Sequence, residues 1–130
     1  MCADSNCIFC KILSGEIPSD CVYENESVKV IRDLHPIAKY HYLVLPKTHV
    51  ENYFDPHFAN DHSPEFERVL VDMHRAVYAV AEADDFKKHG FRLVQNNGRE
   101  VGQTVFHLHW HLVAGEDADR GFFEFFKSLV

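Results

Sequence analysis

Three histidines stand at every second position in His107-Leu108-His109-Trp110-His111, and that alternation restricts the backbone more than any other feature of the chain. In an extended strand successive side chains leave on opposite faces, so the three imidazoles share one face with about 6.8 Å between neighbours. A helix would scatter them around its circumference. The strand predicted over 105–113 therefore carries two surfaces. The imidazoles form one; Phe106, Leu108, Trp110 and Leu112 form the other, expected to pack against a helix. At this spacing the outer two imidazoles flank a small anion or a metal ion held at the middle one. Neutral imidazole, with an ordinary pKa of about 6.5, is a nucleophile near neutral pH, and a protonated neighbour stabilises charged oxygens. Gln103 and Thr104, just upstream, add neutral donors. A plainer reading of the same strand is a pH-sensitive or metal-binding surface.

The helix that such a strand needs is legible at 64–83, where Phe66, Val69, Leu70, Met73, Val77, Val80 and Ala81 fall on one stripe. Ser63 is a suitable N-cap, Pro64 fits the first turn, and Glu65 and Glu67 complement the positive end of the helix dipole. Four more strands are predicted at 21–24, 28–33, 40–45 and 91–95. A short helix is expected at 7–13, with Ile8, Phe9 and Ile12 on one side and Gly15 as its stop. Residues 51–62, rich in Asn, Asp, Pro and His, read as a loop. The chain has 130 residues and no repeat or linker, so these elements are expected to form a single α+β domain over 1–130, with a five-stranded antiparallel sheet.

Charge and composition narrow the partners. Thirteen basic against twenty acidic residues give a net charge of −7, which repels a phosphate backbone and argues against general nucleic-acid binding. A phosphate ligand must then be met locally. No apolar run approaches the roughly 18–20 residues that span a bilayer, and the first six residues have neither a basic flank nor an apolar signal core. No membrane association and an intracellular, cytoplasmic location are expected. Cys7 and Cys10 form a C-x-x-C pair, which inside a cell suggests metal or redox chemistry, or simply two buried thiols. Cys2 and Cys21 have no assignment, and His41, His57, His62, His74 and His89 read as surface or packing residues.

The segment GQTVFHLHWHLV resembles the histidine-triad signature, in which H-φ-H-φ-H-φ-φ (φ apolar) follows Gly-Gln-Ser/Thr. CIFCKI, GEIPSDCVYENESVKVIRD and HYLVLPKTH extend the resemblance to the HIT superfamily, in particular its Hint-like branch of nucleotide hydrolases, over nearly the whole chain. The resemblance implies that His109 attacks the α-phosphorus of a purine nucleoside phosphoramidate or related adenylated conjugate, and that water then releases the nucleoside monophosphate. His111 would contact the α-phosphate, and Gln103 and Thr104 would hold phosphate or leaving-group atoms. Asn96 matches an Asn beside ribose and phosphate, Asp33 an acid that accepts the ribose hydroxyls, and Ile31 and Leu34 an apolar base slot. Read without the resemblance, Asp33 and Asn96 are ordinary turn residues and Ile31 and Leu34 plain core.

In members bearing C-x-x-C, the positions of Cys7, Cys10, His49 and His107 bind a structural zinc, and tetrahedral Zn2+ favours such a Cys2His2 set. The resemblance further implies a homodimer and a C-terminal segment that shapes leaving-group selectivity. His109 must be unprotonated to attack, so turnover is expected to decline below roughly pH 6. Two departures stand out: Trp110 occupies a position usually aliphatic, so packing behind the strand should rearrange around it, and His35 stands where many relatives have a small residue. The competing functions are a dinucleoside polyphosphate hydrolase with the same nucleophile, and a non-enzymatic nucleotide- or zinc-binding partner protein.

Overall fold

The computed structural model describes residues 6–59, 64–115 and 118. Strands β1 (Cys21–Glu24), β2 (Val28–Arg32), β3 (Tyr40–Pro46), β4 (Phe91–Val94) and β5 (Trp110–Ala114) form one antiparallel sheet in the order β1-β2-β3-β5-β4. Helices α1 (Ile8–Ser14), α2 (Pro56–Ala59) and α3 (Pro64–Ala83) complete the α+β fold. The short α2 falls inside the stretch read from the sequence as a loop. The proposed Ser63 cap and the C-terminal segment lie outside the described residues.

The long helix α3 covers one face of the sheet. Phe66, Val69, Met73, Ala76, Val77 and Val80 are buried, with Leu70 and Ala81 half-buried beside them. Their partners include Val28 and Val30 of β2, Tyr42 and Val44 of β3, and Leu108, Trp110 and Leu112. Tyr42 also anchors the far end of the helix, because its hydroxyl donates to Asp84 Oδ2 at 2.6 Å. Burial first, and the Asp84 bond second, push this phenol up to about 12, so it remains a donor at neutral pH. On the opposite face lies α1. Its first turn is capped by Cys7 Sγ, which accepts the Cys10 N–H, and Gly15 ends it at φ 86°, a conformation glycine adopts without a Cβ penalty. The buried side of α1 is Phe9, Cys10 and Ile12; Ile8, expected to join them, is 46% exposed. Cys10 takes that place because its sulfur turns inward, towards His49 and His107.

The histidine strand is shorter than its periodicity suggests. Ladder pairing begins only at Trp110, opposite Val44, rather than at 105. The backbone ahead of it runs elsewhere: Leu108 N–H donates to Val50 O at 2.7 Å, and the Pro46 carbonyl accepts from the His107 ring at 2.9 Å. Pro46 has no N–H to extend the ladder. Phe106 is a second correction, since it stands half-buried away from the α3 core, under the Arg99 guanidinium at 4.9 Å from its ring centroid.

Trp110 is 1% exposed and fills the space under α3, where the ring of His74 lies 4.6 Å from it. Its indole N–H has no hydrogen-bond partner among the described residues. Truncation should therefore cost packing but no polar contact. Trp110→Ala is expected to destabilise the fold by about 3–5 kcal/mol, whereas Trp110→Phe, which also deletes the orphan donor, should cost less than about 2 kcal/mol. Urea denaturation followed by circular dichroism measures both; equal losses would contradict this packing account.

Candidate functional site

Pairing in register builds one face of the site. Ile31 lies opposite Leu43, and Leu43 opposite His111, and cross-strand partners share a face. The three triad histidines are buried on this side, at 0%, 3% and 1% exposure for His107, His109 and His111. Two of them lean together: the ring centroids of His109 and His111 are 5.2 Å apart at 71°. Phe9 of α1 abuts the nucleophile candidate edge-on, at 4.9 Å from His109 and 5.8 Å from His107.

Backbone carbonyls assign the protons. His109 Nδ1 lies 2.7 Å from the His107 carbonyl oxygen, which can only accept, so Nδ1 carries the hydrogen and Nε2 the lone pair. His107 Nε2 donates to the Pro46 carbonyl, which places its lone pair on Nδ1. In the third member the chain runs through His41. Ile37 N–H donates to His41 Nδ1 at 3.3 Å, so His41 is protonated on Nε2. That nitrogen is 2.9 Å from His111 Nδ1, which accepts, leaving His111 protonated on Nε2. Each triad imidazole thus has a defined tautomer: His107 and His109 present lone pairs on opposite nitrogens, and His111 presents a donor.

The lone pair of His107 Nδ1 meets three other donor atoms. Cys7 Sγ is 3.4 Å away, Cys10 Sγ 3.6 Å and His49 Nδ1 3.1 Å, and Cys10 Sγ is 3.3 Å from His49 Nδ1. All four ligand atoms lie within 4.8 Å of one another. Tetrahedral zinc with ordinary bond lengths separates its ligands by about 3.3 Å for N–N and about 3.6 Å for N–S, so the donor set fits that ion in both chemistry and spacing. Cys10 is disulfide-bonded in this structure, and reduced protein is the form with all four ligands. Asp33, His41 and His111 also converge within 4.8 Å. The hydrogen on His41 Nε2 makes that group a hydrogen-bonded chain.

The remaining candidates occupy different surroundings. Asn96 is 9% exposed, and its side-chain Nδ2 has no partner among the described residues. It follows Val94, which pairs with His111, by two residues. Gln103 is fully engaged: Nε2 donates to Glu51 O and Val105 O, and Oε1 accepts from Asn52 Nδ2 and Gly98 N–H. It ties the 51–55 and 98–105 segments together, and a contact with phosphate would require one of these bonds to open. Thr104 is exposed. Ile31 is buried beside Phe9 and Ile12 in the α1 cluster, whereas Leu34 is 78% exposed. Asp33 accepts the His35 N–H at 2.8 Å and stands 3.5 Å from His41 Nε2; His35 is itself exposed.

Sequence reasoning missed His41, Phe9 and Asn52. Alternation puts His41 on the same face of β3 as Leu43, but only the pairing of Leu43 with His111 shows that this face carries the triad. The sequence places Phe9 only on the apolar side of the short helix, and Asn52 in a loop.

A five-stranded antiparallel sheet with a long helix behind it and alternate histidines in front is the histidine-triad architecture. The chain belongs to the HIT family, whose HIT domain model matches residues 14–118. It is 38% identical over 127 residues to "Protein hit" of Bacillus subtilis, covering 98% of this chain and 82% of that one. It is also 38% identical over 108 residues to the purine nucleoside phosphoramidase of Escherichia coli, covering 83% and 86%. Among solved structures, a HIT family hydrolase from Clostridium thermocellum superposes with a TM-score of 0.77 at 40% identity, covering 92% of this chain and 96% of that one.

Burial lowers the His41 pKa below its usual 6.5, more than Asp33 raises it. The unfolded chain therefore takes up this proton at a higher pH than the folded one, and stability falls as pH drops below about 6.5. His41→Gln removes that contribution. The stability gap between wild type and His41→Gln should shrink on acidification from pH 7.5 to 5, measured by urea denaturation; a constant gap would contradict it.

Proposed function

We propose that this chain hydrolyses purine nucleoside phosphoramidates, or related adenylated conjugates, at the α-phosphorus through a nucleotidyl-His109 intermediate. The observation that carries this reading is the His109 tautomer: the His107 carbonyl holds Nδ1–H, which leaves the lone pair on Nε2, in a ring whose centroid is 5.2 Å from that of His111. Similarity to a purine nucleoside phosphoramidase supports the substrate class.

In the first half-reaction His109 Nε2 forms a bond to phosphorus, and the P–N bond to the leaving amine breaks as that amine takes a proton from solvent, which the attacking water gives back in the second half-reaction. His111 Nε2–H stabilises the phosphate oxygens as charge builds on them. Water then attacks phosphorus, the bond to His109 breaks, and the nucleoside monophosphate leaves with the imidazole restored. Asp33 would receive the ribose hydroxyls, Asn96 Nδ2 would donate to ribose or phosphate, and Ile31 and Leu34 would line the base. Thr104, exposed beside the turn that Gln103 holds, would meet phosphate or leaving-group atoms.

Cys7, Cys10, His49 and His107 would hold a structural zinc, which supplies a cross-link between α1 and the start of the histidine strand. A homodimer is supported by exposed Phe91, on the strand that ends the sheet among the described residues, which lines a cavity of about 640 Å³ with Tyr78 of α3. No helix among the described residues is long and apolar enough to cross a membrane; the thiol ligands favour the reducing cytoplasm.

Mass spectrometry tests these assignments together. Wild type reacting with adenosine phosphoramidate, quenched without acid, should show an adenylyl adduct and release AMP; His109→Ala should show neither. AMP release at the wild-type rate by His109→Ala would overturn the covalent mechanism. Native spectra of reduced protein should give two chains and two zinc ions; a metal-free monomer would refute both assembly and metal.

A further inference from the structure

Asp33 is poorly placed for ribose binding alone. Its side chain is only 15% exposed, and both carboxylate oxygens already have neighbours. Oδ1 accepts the His35 N–H at 2.8 Å, closing the turn after β2. Oδ2 stands 3.5 Å from His41 Nε2. The backbone prevents the two from drifting apart, because Asp33 N–H donates to the His41 carbonyl at 2.9 Å.

His41 Nε2 carries a single hydrogen and faces two acceptors. His111 Nδ1 takes it at 2.9 Å, while the Asp33 carboxylate lies at the limit of hydrogen-bond range. The other ring nitrogen is occupied by the Ile37 N–H. A negative charge beside Nε2 favours the tautomer with hydrogen on that atom and opposes rotation of the ring. His41 at 4% exposure and His111 at 1% have little water to compensate for a wrong orientation.

We infer that Asp33 is a positioning residue for the chemistry: through His41 it holds His111 in the tautomer whose Nε2–H faces the phosphate. The carboxylate that receives the ribose thereby also sets the proton arrangement beside the nucleophile. The inference deepens the proposed function and rests on its assignment of His109 and His111 to the reaction.

The test separates this role from ribose recognition. Asp33→Asn keeps the Oδ1 acceptor for His35 and removes the charge facing His41. Turnover is measured on adenosine phosphoramidate and on its 2′,3′-dideoxy analogue, which offers Asp33 no hydroxyl. On the dideoxy substrate Asp33→Asn should lower kcat about tenfold and change KM less than about twofold. In a His41→Gln background the same substitution should cost no further kcat. An unchanged kcat on the dideoxy substrate would make Asp33 a ribose ligand only, and an equal loss in the His41→Gln background would show that it acts by another route; either result overturns the inference.

A readout without turnover accompanies the kinetics. Asp33→Asn should shift the imidazole 15N resonances of His111 in otherwise wild-type protein and leave them in place when His41 is Gln. A chain that hydrolyses neither substrate but shows this pattern would refute the proposed function while retaining the coupling; unmoved His111 resonances would refute the coupling itself.

Discussion

The hydrogen bond from His109 Nδ1 to the carbonyl of His107, at 2.7 Å, organises both the chemistry and the local backbone. It exists because residue 107 has left the sheet. Were the ladder to continue through 107–109, that backbone would be drawn into pairing with β3. The Pro46 end of β3 prevents this, with no N–H to offer and its carbonyl given to the His107 ring. A proline at the end of one strand thus settles the tautomer of a histidine on another.

The same residue, His107, faces the candidate metal-ligand cluster with its other nitrogen, so that cluster and His109 are joined through one peptide carbonyl. Phe9 gives a second path. It sits between Cys7 and Cys10 on α1, and its ring touches both His107 and His109. Whatever pins α1 in place consequently braces His109 from two directions. Behind the strand, Trp110 and Leu108 bury themselves under α3, so the sheet cannot slide one residue without exposing the core and turning the imidazoles inward. Stability and chemistry depend on the same register.

Much of this was legible in the sequence because it follows from periodicity. Alternation marked the histidine face, the 3.6-residue stripe marked α3, and five strand signals led to five strands. The same rule misjudged residues 105–109, since alternation persists in any extended backbone whether or not it pairs. Phe106 was assigned to the core on that basis and lies outside it. His41 escaped notice because one histidine in an apolar strand has no pattern of its own; only the pairing of β3 with β5 brings it to His111. Gln103 was legible as polar and close to the site, but three of its four hydrogen bonds join segments 5 and about 50 residues away, beyond the reach of local spacing. The four metal-ligand candidates were grouped by resemblance, and their convergence depends on contacts spanning up to 100 residues.

The central claim is that His109 reaches the phosphate with its Nε2 lone pair while Nδ1 stays protonated. Long-range 1H–15N correlation spectroscopy of the histidine rings at about pH 7.5 reads that assignment directly in the ligand-free protein. The account predicts a protonated Nδ1 and an unprotonated Nε2 for His109. The reverse tautomer, with hydrogen on Nε2, would leave no lone pair on that nitrogen to attack phosphorus and would contradict it.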